Sequence, residues 1–223
     1  MDRKLFFEAM GKFFAGVVVM VILLFVPAGT LRWRNGWLLM ALLFVPMFLA
    51  GLVLMAKNPE LLQKRLHAKE EQGEQKVVIA LSAAMFLTGF ILAGLSYRFG
   101  WLALPRWLVC AASAVFLLSY LLYAEVLREN AYLSRTIEVQ QGQKVIDTGL
   151  YGVVRHPMYA ATIFLFLSMP LILGSLPPFL IFLLYPAIIV RRIRNEEQVL
   201  EQGLEGYAAY ERRVKYRLFP LIW

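Results

Sequence analysis

One long apolar run has ionisable residues gathered at both of its ends, and that is where this chain could organise chemistry. Residues 157–190 carry no charge; Arg155 and His156 precede the run, and Arg192, Glu196 and Glu197 follow it. The run is too long for a single helix, and Pro170, Gly174, Pro177 and Pro178 near its middle interrupt helical hydrogen bonding. The pattern predicts a tight helical hairpin, which makes its two ends neighbours. An Arg, a His and two Glu meeting at a lipid boundary form a polar pocket that the bilayer otherwise penalises. Such a group can hold a charged ligand, and Glu197 or His156 can take up a proton.

Each residue also has a plainer reading. Arg155 and Arg192 can be snorkelling anchors at helix ends. His156-Pro157 can simply start a helix, since proline suits the first turn. Glu196-Glu197 can be a solvated face beside the Arg cluster, and Tyr207 and Tyr210 can be interfacial aromatics. His67 lies in a charged loop and is assigned no role. The two histidines make no metal site, because no HxxxH, CxxC or paired acidic motif surrounds them.

The elements that must position this pocket are membrane helices. Of the 223 residues, 60% are hydrophobic and 17% charged, against roughly 45–50% and about 25% in soluble domains. Four further runs without charge, 13–31, 35–56, 77–97 and 107–124, each approach the length of a bilayer span. With the hairpin they give the expected fold class: an all-α polytopic membrane protein of about six transmembrane helices, including a C-terminal helical hairpin and a cytoplasmic C-terminal helix. The first run follows Arg3, Lys4 and Lys12, but no small-x-small cleavage site stands out after it, so it reads as an uncleaved helix. Residues 1–127 form four spanning segments, and 128–223 form the region that carries the chemistry. Cys110 is the single cysteine, so no intrachain disulfide is possible.

The net charge of +8 has a topological explanation. Nineteen Lys and Arg fall in the N-terminus, the loops after the second and fourth segments, and the tail. Four, Arg32, Arg34, Arg98 and Arg106, fall on the other side. That asymmetry makes the first side cytoplasmic, with both termini inside. No nucleic-acid partner is expected, because that requires a basic face on a water-exposed domain. Two cytoplasmic stretches have structure of their own. Residues 136–146 alternate apolar and polar positions around Gly142, as in a short hairpin or extended loop. Residues 195–217 place Val199, Leu200, Tyr207, Tyr210 and Val214 at helical spacing, with breaks at Gly203 and Gly206.

Taken together, these residues resemble one family. The run Gly149-x-Tyr151-x-x-x-Arg155-His156-Pro157-x-Tyr159 is similar to the GxYxxxRHPxY signature of isoprenylcysteine carboxyl methyltransferases. After the hairpin, Glu196-Glu197-x-x-Leu200 and Tyr207-x-x-Tyr210-x-x-x-Val214-x-x-Arg217-x-x-Pro220 resemble that family's C-terminal pattern. Asn130 and the stretch from Val139 to Ile146 also fit. Ala161 stands where the family usually has glycine, and Gln143 where it usually has histidine. Relatives that methylate phospholipid amines or small thiols share the signature.

The resemblance implies S-adenosyl-L-methionine as methyl donor, bound without a Rossmann fold, in accord with the absence of GxGxxG. It places cofactor contacts on Gln140, Gln143, Lys144, Val145, Ile146, Tyr151, His156, Pro157, Met158, Tyr159 and Glu196. Arg192 falls where the family has an Arg that supports substrate or reaction. The sulfonium is already activated, so the enzyme mainly aligns it with a nucleophile and excludes water. Glu196 suits the donor's ammonium group, Tyr151 or Tyr159 the sulfonium, and Arg192 an acceptor carboxylate. A carboxylate needs no base; an amine or thiol acceptor would use Glu197 or His156. The expected activity is methylation of a lipophilic or prenylated acceptor drawn from the bilayer, with carboxyl O-methylation of the isoprenylcysteine type as the nearest label. N- or S-methylation of a phospholipid amine or thiol, and NADPH-dependent reduction on a related architecture, are the alternatives. Beyond membrane lipids, no protein partner is expected.

Overall fold

The computed structural model describes residues 3–67, 73–133, 137 and 139–223, the side chains of Lys64 and His67 excepted. Four long helices come first: α1 (Arg3–Ala28), α2 (Arg34–Lys57), α4 (Gly73–Phe99) and α5 (Arg106–Glu129), with the short α3 (Pro59–His67) between α2 and α4. The hairpin is α6 (Pro157–Ile172), α7 (Leu176–Phe182) and α8 (Tyr185–Gly203), and α9 (Tyr207–Arg213) follows. The apolar stretches are helical because a backbone in lipid must satisfy its own hydrogen bonds. Five stretches, with Leu176–Gly203 taken as one, are long and apolar enough to cross a membrane, and α6 is a shorter apolar helix. The chain is an integral membrane protein with the expected all-α architecture.

Small residues set the helix spacing. A Cβ at Gly94 would stand 2.6 Å from the Leu24 carbonyl, so α1 and α4 touch at backbone distance. A Cβ at Gly89 would overlap the Phe182 ring, which brings α7 onto α4. Phe86, Phe90, Phe166, Phe182 and Tyr185 interlock around this contact, mostly edge to face. Outward residues such as Phe14, Val26, Leu118 and Leu121 are exposed and apolar, as a lipid-facing surface requires.

Several boundaries differ from the charge-free runs. The helix α1 begins at Arg3, and its first turns pack Leu5 and Ala9 against Met55 and Leu62. The helix α3 was hidden in a charged loop, although its start is conventional: Asn58 Oδ1 accepts from the Leu61 N–H (3.1 Å), and Pro59 occupies the first turn. The hairpin turns at Leu173–Ser175, where Gly174 has φ +76°. Pro170 sits inside the last turn of α6, and Pro177 and Pro178 in the first turn of α7, so the prolines flank the break. A second break between α7 and α8 precedes Pro186, which cannot donate back to the previous turn.

The turn of the hairpin is stitched to the α4–α5 loop. Leu104 N–H donates to Gly174 O (2.9 Å), and Ser175 Oγ donates to Ser96 Oγ (2.6 Å). Of the 136–146 stretch, Thr136 and Glu138 lie outside the described residues. The remainder is an extended loop with a turn at Gln140–Gln143, where Gly142 has φ +72°. The breaks expected at Gly203 and Gly206 are present, Gly206 having φ +83°.

Candidate functional site

The hairpin brings its two ends together as the spacing requires. Arg155 is not a snorkelling anchor: it is buried, and its guanidinium is saturated by the tail. Its Nε donates to Glu197 Oε1 (2.8 Å), Nη1 to the carbonyl of Val214 (2.9 Å), and Nη2 pairs with Glu211 (2.9 Å). Its own N–H donates to Tyr216 O, and that of His156 to Arg217 O, both at 2.9 Å. These bonds fasten the segment after α9 across the start of α6.

Glu197 lies at the centre of that fastening. Besides Arg155, its Oε1 faces His156 Nε2 (3.1 Å), and its Oε2 accepts from Arg217 Nε (2.7 Å). Both oxygens are engaged and the side chain is buried. The carboxylate therefore faces the tail, away from the cavity described next.

Glu196, one residue earlier, points elsewhere. It accepts a hydrogen bond from the Tyr159 hydroxyl (2.5 Å), and Arg192 Nε donates to that same hydroxyl (2.7 Å). Arg192 Nη1 reaches Gln75 Oε1 on α4 (3.2 Å), and Gln75 Nε2 reaches Asn195 Oδ1 (2.5 Å). Gln75 is fully buried. A fully buried amide on a membrane helix requires partners, and here they tie α4 to α8 beside Arg192.

A cavity opens over this network. Gln143, Lys144, Val145, Ile146, Tyr151, His156, Met158, Tyr159, Arg192 and Glu196 all line it. Two expected cofactor contacts, Gln140 and Pro157, lie off its wall, and so does Glu197, expected as a proton acceptor. Gln140 closes the loop, donating from its side chain to Tyr132 O (2.7 Å) while its N–H donates to Gln143 Oε1 (2.8 Å). Pro157 is the buried first residue of α6, and Glu197 holds the tail. Tyr132, Ile137 and Leu204, to which the sequence reading gave no role, also line the wall, as does Tyr207, read there as an interfacial aromatic and part of the C-terminal pattern. The Tyr207 hydroxyl is buried and has no hydrogen-bond partner among the described residues. Burial, with Glu197 and Glu196 nearby, pushes its ionisation far above the usual tyrosine range, so it stays a proton donor.

Tyr151 is fixed from three sides. Asn130 Nδ2 donates to its hydroxyl (3.0 Å), and the Tyr210 hydroxyl donates to its carbonyl (2.8 Å). The third constraint is the 3₁₀ turn Gly149–Gly152, whose Leu150 N–H donates to the Glu129 carboxylate (3.0 Å). Gly149 has φ +52°, and a Cβ there would overlap Glu129, so the first glycine of the motif is required by close approach. An apolar groove of about 570 Å³ runs between α4 and α7–α8, lined by Leu81, Met85, Ile181, Leu184, Ile188 and Arg191. The Gln75–Arg192 contact bridges the same α4–α8 seam. No cluster of potential metal ligands occurs among the described residues.

Comparison with known proteins places this site in context. Residues 107–205 match the model of the phospholipid methyltransferase family, which includes isoprenylcysteine carboxyl methyltransferases. The matched region runs from α5 to just past α8 and so contains the 3₁₀ turn, the hairpin and both glutamates. The chain is also 33% identical over 91 residues to a delta(14)-sterol reductase of Mus musculus, an alignment covering 40% of this chain. That alignment covers only 22% of the reductase's length.

Proposed function

We propose, on the premise of the phospholipid methyltransferase match over residues 107–205, that the chain is a membrane methyltransferase using S-adenosyl-L-methionine on a lipophilic acceptor. The observation that carries the reading is the chain Gln75–Arg192–Tyr159–Glu196, which links α4, α8 and α6 and presents Tyr159, Arg192 and Glu196 to the polar cavity.

The residues present fit such a donor. Glu196 offers a carboxylate to an ammonium group, and Lys144 a cation to a carboxylate. The Tyr151 and Tyr159 rings suit a sulfonium, and the unpartnered Tyr207 hydroxyl is a donor awaiting an acceptor. The cavity's free volume is about 100 Å³, so its wall has to yield to admit a nucleoside-sized molecule. When bound, the donor supplies a methyl group activated by its sulfonium. Arg192, held by Tyr159 and Gln75, orients an acceptor carboxylate; isoprenylcysteine-type O-methylation is the nearest label and needs no base. Glu197, with both oxygens committed, acts as a positioning residue. An amine or thiol acceptor leaves His156, on the cavity wall, as proton acceptor. The acceptor's tail lies in the α4–α8 groove, and the site faces the cytoplasm, following the charge asymmetry.

The sterol reductase alignment motivates a second reading, NADPH-dependent reduction. Equilibrium binding to purified protein separates the two. S-adenosylhomocysteine is expected to bind saturably, and NADPH not to compete; saturable NADPH binding without S-adenosylhomocysteine binding would replace the first reading with the second.

A further inference from the structure

The end of the bundle away from this site holds a second cavity, of about 490 Å³. Its wall includes Arg32, Arg34, Asn35, Ser96, Trp101 and Ser175, drawn from the α1–α2 turn, the end of α4 and the turn of the hairpin. Trp33 and Tyr97 stack beneath it, with ring centroids 4.9 Å apart.

The charge at this end is uncompensated. Arg32, Arg34, Arg98 and Arg106 gather here, and the sequence has no Asp or Glu anywhere in 9–59, 75–124 or 148–195, the stretches that build this end. Among the described residues none of the four forms an ion pair with a carboxylate. All four are exposed, and the two on the cavity wall flank the start of α2, whose N-cap residue Trp33 makes no side-chain capping bond. The helix dipole adds positive potential to two guanidinium groups. Every cation at this end is Arg, whereas the other end mixes Lys and Arg. Guanidinium forks match phosphate oxygens in a way an ammonium does not. Exposed Trp37, Phe99, Trp101 and Trp107 ring the same level, the depth at which aromatic belts meet lipid headgroups.

We propose that this cavity binds the phosphate of an anionic phospholipid in the leaflet remote from the candidate methyl-transfer site, with Arg32 and Arg34 as its ligands and Asn35 and the serines as polar floor. The bound headgroup would bridge the α1–α2 turn to α4 and the hairpin turn, which are already joined to each other through Ser96 and Ser175. The inference is independent of the chemistry at the other end. Non-specific anchoring by interfacial arginines is the competing account, and it differs in stoichiometry and in its response to single residues.

The test titrates purified full-length protein in neutral detergent with phosphatidylglycerol, phosphatidylcholine or inorganic phosphate. Bound lipid is counted by native mass spectrometry and binding is followed by tryptophan emission. Phosphatidylglycerol is expected to saturate at about one per protein and to bind on the order of tenfold more tightly than phosphatidylcholine, whose choline ammonium is repelled by the same guanidinium groups that hold the phosphate. Arg32→Gln combined with Arg34→Gln should weaken it by about tenfold or more, while Arg106→Gln, off the cavity wall, should not. Arg32→Gln alone, in the exposed turn before α2, gives the same comparison should the double variant fail to fold. Equal binding of the two lipids, or an unchanged titration in the Arg32 variants, overturns the proposal. Saturation by inorganic phosphate at concentrations where the lipid adds nothing also overturns the lipid assignment, leaving a free-anion site.

Discussion

Replacing Arg192 by lysine separates a positioned guanidinium from a cationic anchor. The two nitrogens of Arg192 contact two different partners, Tyr159 Oη at 2.7 Å and Gln75 Oε1 at 3.2 Å, which belong to α6 and α4. A lysine has one nitrogen on a flexible stem, so it can satisfy one of these and not both in the same geometry. Loss of one hydrogen bond to a charged group costs about 1.5–3 kcal/mol. If that contact holds the acceptor's reacting group in line, turnover should fall roughly ten- to a hundredfold. Affinity for S-adenosylhomocysteine should change only a few-fold, because Glu196 and its bond from Tyr159 remain. Arg194 is the control: it is exposed on the same helix, about 200° further round, and Arg194→Lys should leave turnover unchanged. The assay is transfer of labelled methyl to membrane lipid and to a prenylcysteine acceptor, beside equilibrium binding of S-adenosylhomocysteine. Equal turnover in the two lysine variants would reduce Arg192 to an anchor and remove it from the reaction.

Three further outcomes follow from the same geometry. Glu197→Gln breaks the buried pair with Arg155 and leaves that guanidinium only the partly exposed Glu211 as counter-charge, a loss approaching the roughly 3–5 kcal/mol of a broken buried pair, so the melting temperature in detergent should drop. Tyr207→Phe removes only a hydroxyl without a partner; stability should be unchanged or slightly higher while S-adenosylhomocysteine affinity weakens about tenfold, and unchanged affinity would show that the donor does not use it. Gly94→Val drives a side chain against the α1 backbone and should cost roughly 1–3 kcal/mol as overpacking, read as lower melting temperature and yield.

The hairpin and the meeting of its ends were legible because charge-free length and proline placement constrain a membrane chain strongly. The glycine breaks at Gly203 and Gly206 were legible for the same local reason. The helix α3 was not found because its flanking charges masked a signal that was present, Asn58 before Pro59. Gln75 was beyond reach: a single polar residue at the head of an apolar run looks like a helix end. Only the packing of α4 on α8 shows that it meets Arg192 and Asn195. The split between cavity wall and framework was equally hidden. The motif names Arg155, His156 and Tyr159 in one breath, yet their side chains serve the tail, the boundary and the cavity respectively.

Glu196 and Glu197 show why that split arises. Adjacent helical residues diverge by about 100°, so two carboxylates on α8 cannot face one ligand together. Glu197 turns toward Arg155, His156 and Arg217, groups that come from the start of α6 and from the tail. Those partners are far apart in sequence, and one buried carboxylate fixes their relative positions. Glu196 turns the other way, onto Tyr159 and the cavity. A ligand's charged group needs an acceptor whose geometry is set before binding, and the rigidity that sets Glu196 comes from the helix that Glu197 has locked. The doubled glutamate is therefore one device with two faces. Loss of the inner one should register first in folding, and loss of the outer one first in affinity.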